Sequence, residues 1–287
     1  MSDKNSYQRI LEEYETFSNQ QKKIADYIMT NINDVIYFPT SRIVAATGVS
    51  QATIVRFAQR LGYKRFHDFR DSLFAYYRDY LSPAGRMKHS IEGLEENPPS
   101  YESITRKEIA YLENSIKSIS NEVYREALRA ISSAETVYIF GIGPDEHLAC
   151  YLSFRLRRLK LRSQQVSESG RNLFEHLLLI GEKDLAVVYS FAKPSLDFNR
   201  FMSVLKEKNV PVLLISDIAN PPMIRMARYV LCAERGPLGT FPSPLVPIAI
   251  TNALILGVAD SLEAQALEAL QELSRLRDRY FHSDFGR

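Results

Sequence analysis

The sequence predicts two domains of different class: an all-α domain, then an α/β domain built on a five-stranded parallel sheet. Three observations carry this reading. Residues 5–80 show helical periodicity with few breakers and no strand-like alternation. Residues 81–100, LSPAGRMKHSIEGLEENPPS, are rich in proline, glycine and charge. From Tyr101 onward, short β-rich runs alternate with helical stretches, the pattern of βαβ units. A chain of 287 residues suits two domains at roughly 100–200 residues each. The expected division is an all-helical domain over 1–80, a linker over 81–105 and an α/β domain over 106–287.

Composition narrows the classes. With 36 basic and 34 acidic residues the formal net charge is +2, so nucleic-acid binding would need a local patch. The first 30 residues are charged and hold no apolar core of a signal peptide. The longest uncharged run, 240–259, contains Pro242, Pro244, Pro247, Thr251 and Asn252, and reads as a loop feeding a buried helix, not as a membrane span. Cys150 and Cys232 lie in apolar surroundings and are expected as buried thiols in a reducing cytosol. A cytoplasmic protein is expected.

In the first domain Leu11, Phe17, Ile24, Ala25, Ile28 and Ile32 fall at helix-face spacings. Residues 40–66 read as two short helices. Thr40 or Ser41 is placed to cap the first, and Gly48 to end it in a left-handed turn. Ser50 is placed to cap the second, which carries Ile54, Val55, Phe57, Ala58 and Leu61 and stops at Gly62. Two such helices across a glycine turn describe a helix-turn-helix. Between Ser41 and Arg70 stand Arg42, Arg56, Arg60, Lys64, Arg65 and Arg70 against one acid, Asp68. In this motif the N-terminal residues of the second helix meet base edges, which nominates Ser50, Gln51, Ala52, Thr53 and Arg56. Gln51 suits adenine and Arg56 guanine. Arg42, Lys64 and Arg65 would grip phosphates.

In the second domain the expected strands are 136–140, 162–166, 185–190, 210–216 and 229–233. Two are nearly all apolar, as in strands covered on both faces. Residues 262–281 form one amphipathic helix with Leu262, Ala266, Leu270, Leu273, Leu276 and Tyr280 in a stripe, for packing or for an oligomer contact. The run VYIFGIGPDEHLA, 137–149, places Gly141 and Gly143 where a strand meets a helix. A dinucleotide fingerprint would need a small residue where Glu146 stands, so NAD binding is not expected. Pro144 lacks a backbone N–H and Asp145 and Glu146 would repel an anion, if they face the pocket. They also suit the first turn of a helix facing solvent. Glu168, Ser169 and Arg171 follow the second strand, on the carboxyl edge where open parallel sheets bind ligands.

Residues 17–73, with QKKIADYI at 21–28 and GVSQATIVRF at 48–57, resemble the N-terminal domain of RpiR-type bacterial transcription regulators. Such regulators carry a C-terminal sugar isomerase (SIS) domain, a flavodoxin-like three-layer αβα fold, and residues 106–260 resemble it in strand order, length and glycine loop. The resemblance implies double-stranded operator DNA and a small metabolite as partners, in a homodimer or homotetramer. It implies that the glycine loop and the loop YSFAKPSLDF, 189–198, hold the effector. Ser190 and Ser195 match family hydroxyl positions, whereas Ala192, Lys193 and Pro144 replace a serine, a glycine and a serine. The expected effector is therefore a neutral hydroxylated or cationic metabolite, with a phosphosugar held by Lys193 as the rival. No cofactor, metal or catalytic residue is expected. The alternative is a phosphosugar aldose–ketose isomerase with an attached regulatory domain, for which Glu175 and His176 are the candidate bases.

Overall fold

The computed structural model describes residues 6–31, 35–36, 39–80, 82–94, 99–191, 195–217, 224, 226–237 and 239–281. The chain divides into two compact units, Met1–Leu94 with Pro237–Phe241, and Glu95–Gly236 with Pro242–Arg287.

The first unit contains α1 (Ser6–Glu13), α2 (Asn19–Thr30), α3 (Thr40–Thr47), α4 (Gln51–Arg60), α5 (Phe66–Tyr80) and α6 (Pro83–Glu92). Its core joins Ile10, Phe17, Ile24, Ile28, Ile43, Val49, Ile54, Phe57, Leu61 and Phe69, all buried. Burying side chains of this size contributes about 1.5–3 kcal/mol each. Phe57 is the hub, edge-on to both Phe17 and Phe69 at 5.2 and 6.0 Å between ring centroids. Ser18 and Gln21 close a reciprocal capping box on α2. Ile32, expected on a helix face, lies outside the described residues.

Part of the segment expected as a linker is helical. Ser82 accepts from Gly85 N at 2.9 Å, Pro83 occupies the first helical position and Gly93 follows the end of α6. Proline at a helix start and glycine past its end are helix signals, and here they outweigh the breaker-rich composition.

The second unit contains α7 (Tyr101–Ser118), α8 (Asn121–Ser133), β1 (Val137–Phe140), α9 (Glu146–Arg158), β2 (Ser163–Val166), α10 (Leu173–Leu179), β3 (Leu185–Tyr189), α11 (Leu196–Glu207), β4 (Val212–Ser216), β5 (Tyr229–Cys232), α12 (Leu245–Leu262) and α13 (Ala264–Phe281). The five strands are all parallel in the order β2-β1-β3-β4-β5, with Val137 beside Ser163 on one flank and Leu185 on the other. The expected strands lie where the sequence put them, within a residue or two.

Side chains alternate across a strand, so each run supplies both faces. Val137, Ile139, Leu185, Val187, Leu213 and Ile215 pack under α8, α9 and α12. Tyr138, Phe140, Ala186, Val188, Val212 and Leu214 pack under α10 and α11. There Phe140 stacks on Phe201 with centroids 4.5 Å apart. At the end of α10, the Lys208 ammonium donates to the carbonyls of Leu177, Leu178 and Ile180 at 2.6, 3.2 and 2.9 Å.

Helix α12 is long and apolar enough, by length and composition alone, to cross a membrane. It packs on the sheet instead, burying Val246, Ile250, Leu254, Ile255 and Val258. Its Thr251 meets the Tyr189 hydroxyl at 2.8 Å, and burial holds that phenol far above its ordinary pKa.

Two expectations are corrected. Cys150 is exposed and Cys232 half-buried, so they are not a pair of buried thiols. The reason is helical phase: Leu148, Ala149, Leu152 and Leu156 of α9 face the sheet, which turns Cys150 outward. The C-terminal helix begins at Ala264, after a break at Glu263 with φ 44°. Its expected stripe is buried only near the start, at Ala266, while Leu276 and Tyr280 stay exposed.

Candidate functional site

The first candidate site is the α3–turn–α4 pair. Gly48 ends α3 in the left-handed region, φ 68°, where its N–H still reaches the Val44 carbonyl at 2.9 Å. Pro39, not Thr40 or Ser41, occupies the N-cap of α3 and contributes no side-chain bond. A proline cap leaves the chain extended into the helix without a side-chain acceptor. Ser50 caps α4 as expected, accepting from Thr53 N at 3.3 Å.

Gln51, Ala52 and Arg56 project from the first turns of α4 and are exposed. Thr53 is buried, and its hydroxyl meets the Ser50 hydroxyl at 2.9 Å and accepts from Arg56 Nη2 at 3.2 Å. So Thr53 orients Arg56 instead of presenting its own hydroxyl. Arg42 and Lys64 are exposed. Arg65 donates to Asp68 at 2.8 and 3.3 Å, which holds that carboxyl below its ordinary range and raises the guanidinium.

The sequence count of basic residues overstates the patch at Arg60. Arg60 donates to Gln21 at 2.8 Å and to both oxygens of Thr16, pairs with Glu13 at 3.5 Å and lies over the Phe17 ring. It ties α4 to α2 and to the turn before it. Arg9 donates to the Leu61 carbonyl at 2.7 Å and satisfies the end of α4. Nothing in the local sequence signals either role, because the partners lie 39 to 52 residues away.

The second candidate site is the carboxyl edge of the sheet, where β1 and β3 diverge in connection. Gly141 is buried under the following turn: a Cβ there would lie 2.6 Å from the Asp145 carbonyl oxygen and 3.1 Å from the Ala149 Cβ. This close approach swings the turn over the strand end, with Gly143 at φ 64°. Asp145 thereby turns inward and accepts from Phe191 N, beyond β3, at 3.4 Å. Burial pushes its carboxyl up to about 6, against the pull of Arg235 and of the Phe191 N–H; Asp217 adds to the rise. Glu146 is half-buried and accepts from Gln165 on β2 at 3.3 Å. Neither carboxylate is a mere solvent-facing helix-start acid.

Other expected residues have different roles. Glu168 pairs with His176 Nε2 at 2.7 Å, while His176 Nδ1 meets Gln164 at 2.7 Å. Ser190 is buried, with its N–H on the Ile215 carbonyl at 3.2 Å. Ser195 caps α11, accepting from Phe198 N at 3.0 Å. Ser169 is exposed, as is Glu175. Lys193 lies outside the described residues.

Sequence reasoning missed Asp217 and Arg235. Arg235 donates from Nε and Nη2 to one Asp217 oxygen at 2.9 and 2.7 Å, and its guanidinium lies 4.2 Å from the Phe191 ring centre. Each follows a strand directly, Asp217 after β4 and Arg235 shortly after β5, so their position past the carboxyl ends was the available signal. Among the described residues, no group of three or more His, Cys, Asp or Glu is placed to hold a metal ion.

The model of the helix-turn-helix domain, rpiR family, matches residues 4–79, and the SIS domain model matches 130–256. The chain carries an rpiR-family helix-turn-helix domain followed by a SIS domain. The SIS region is similar to the sugar isomerase domain of an RpiR transcription factor from Sphaerobacter thermophilus. The two share 27% identity over 60% of this chain and 96% of that one, with a TM-score of 0.56. The Vibrio vulnificus NanR protein, complexed with ManNAc-6P, shares the fold at 20% identity over 96% of this chain and 98% of its own, with a TM-score of 0.61.

Two outcomes follow for the SIS domain. Gly141→Ala forces the backbone at Asp145 to move and should destabilise the chain by about 1–3 kcal/mol, read by urea unfolding. For Asp145, the unfolded carboxyl titrates near 3.8 and the folded one near 6. Below the lower value both states are protonated and there is no penalty; it grows through this window and is complete above the upper one. Asp145→Asn should therefore stabilise by about 1–3 kcal/mol above about pH 7. The gain should shrink as pH falls and vanish below about pH 3, checked by thermal midpoints from pH ~3 to ~7.

Proposed function

We propose that this protein is a DNA-binding transcription regulator whose SIS domain senses a small metabolite and thereby modulates operator binding. The observation that carries it is the exposed set Gln51, Ala52 and Arg56 on a Ser50-capped second helix, in one chain with a SIS fold. Gln51 and Arg56 read base edges, and Arg42, Lys64 and Arg65 hold phosphates. A cytoplasmic homodimer or homotetramer presents paired helices to the two halves of an inverted repeat. The effector acts through its differential affinity for two arrangements of those helices.

The effector is a neutral hydroxylated or cationic metabolite. Pro144 withdraws an N–H from the glycine turn and Asp145 brings a carboxylate into it, while Arg235 is already paired with Asp217. A phosphate would meet negative charge there. A phosphosugar is the second reading, favoured by the Arg235 guanidinium at this edge and by the ligand bound to NanR. The chain is not an isomerase in this reading: His176, a candidate base by type, is engaged by Glu168 and Gln164.

Arg56→Ala should cost about 1–3 kcal/mol of operator binding and relax specificity at one base pair. Lys64→Ala should weaken binding to all sequences alike and lower the salt slope by about one. Footprinting titrations at several salt concentrations read both, and unchanged slopes and preferences would count against these contacts. For the effector, a thermal-shift screen with matched metabolites, each with and without its phosphate, should show stabilisation by the unphosphorylated or amine-bearing member. Stabilisation by the phosphorylated member alone would support the second reading, and turnover of an aldose phosphate would support an isomerase.

A further inference from the structure

Away from the carboxyl edge, the end of α9 and the middle of α13 enclose a groove of about 480 Å³. Its floor is apolar, formed by Phe154, Leu273 and Leu276. Its rim is cationic: Arg157, Arg158, Lys160 and Arg277 stand against one carboxylate, Glu272. Glu272 is taken by the Lys160 ammonium. Among the described residues, Arg157, Arg158 and Arg277 form no ion pair, so the groove carries three guanidinium charges without a counter-charge.

Ordinary helix chemistry explains part of this. Arg155, Arg157 and Arg158 lie in the last turn of α9, where cations complement the helix dipole. It does not explain Arg277, which comes from another helix, nor the state of Arg158. The Nε–H of Arg158 is buried without a hydrogen-bond partner, and its guanidinium lies 5.7 Å from the Phe154 ring centre. A buried donor on a charged group is costly to leave unmet. A guanidinium held over a ring keeps its edge for a planar or tetrahedral oxyanion. The apolar floor beside it excludes a bare inorganic ion as the best fit.

We propose that this groove is a second ligand site, for a small amphiphilic anion with a phosphate or carboxylate head and an apolar body. The head bridges the guanidinium groups of Arg158 and Arg277. The body lies on Phe154, Leu273 and Leu276. This site is separate from the proposed effector site, and it stands whichever effector that site takes.

Isothermal titration of the full chain with n-octyl phosphate, below its micelle concentration, tests the proposal. One saturable site per chain is expected, with inorganic phosphate bound at least about tenfold more weakly and n-octyltrimethylammonium not bound. Arg158→Ala should weaken n-octyl phosphate by about tenfold or more, the range of a charge-assisted hydrogen bond. Arg277→Ser, at an exposed position, should weaken it severalfold without moving the thermal midpoint, and decides the matter if Arg158→Ala fails to fold. Equal affinity in Arg277→Ser, or equal binding of the cationic amphiphile or of bare phosphate, overturns the proposal. Loss of the signal in Asp145→Asn overturns it too, by placing the binding at the sheet edge. So does dissociation of an oligomer by Arg277→Glu in sedimentation, since a second copy would then cover the groove.

Discussion

A parallel sheet with both faces buried has no room for chemistry except at its ends, and this constraint organises the second unit. Each strand sends alternate side chains into two separate cores. Helices must therefore cover both faces, and because all five strands run parallel, every loop that follows a strand emerges at the same edge. Asp145, Glu168, Ser190, Asp217 and Arg235 lie along that edge because each follows the end of a different strand. Burying Val, Ile, Leu and Phe brings them to one edge, and the Arg235–Asp217 ion pair then forms there.

The electrostatics of that edge follow from how closely the glycine turn is pressed down. Gly141 admits the backbone of Asp145 to a distance that any side chain would forbid. The price is a carboxylate pulled out of water, and a single backbone N–H at 3.4 Å compensates weakly. The nearby Arg235 is committed to Asp217 and to the Phe191 face, so it attracts Asp145 without neutralising it.

The helical unit divides its cations by a similar logic. Arg60 and Arg9 spend their donors on carbonyls and on side chains of α2 and of the turn before it, holding α4 in place. Arg56 is braced by Thr53, itself fixed by the Ser50 cap. The Ser50 cap, the buried Thr53 hydroxyl and the exposed Arg56 guanidinium are thus one hydrogen-bonded series at the start of α4.

How much was legible beforehand depended on the range of the interactions. The helix-turn-helix, its Gly48 turn and Ser50 cap, the five strands and the two-unit plan all rest on local signals: side-chain periodicity, glycine at positive φ, hydroxyls before helices. These are properties of neighbouring residues, so the sequence by itself determined them. It misjudged the start of α3, the break at Glu263 and the exposure of Cys150, where proline, chain reversal and helical phase compete over one or two residues. Only the tertiary structure decided that Asp145 and Glu146 turn inward, that Arg235 pairs with Asp217, that Arg60 is a strut and that Arg158 keeps a buried donor. Each of those depends on groups distant in sequence and brought together by folding, and on water excluded from between them. Local propensity contains no record of either.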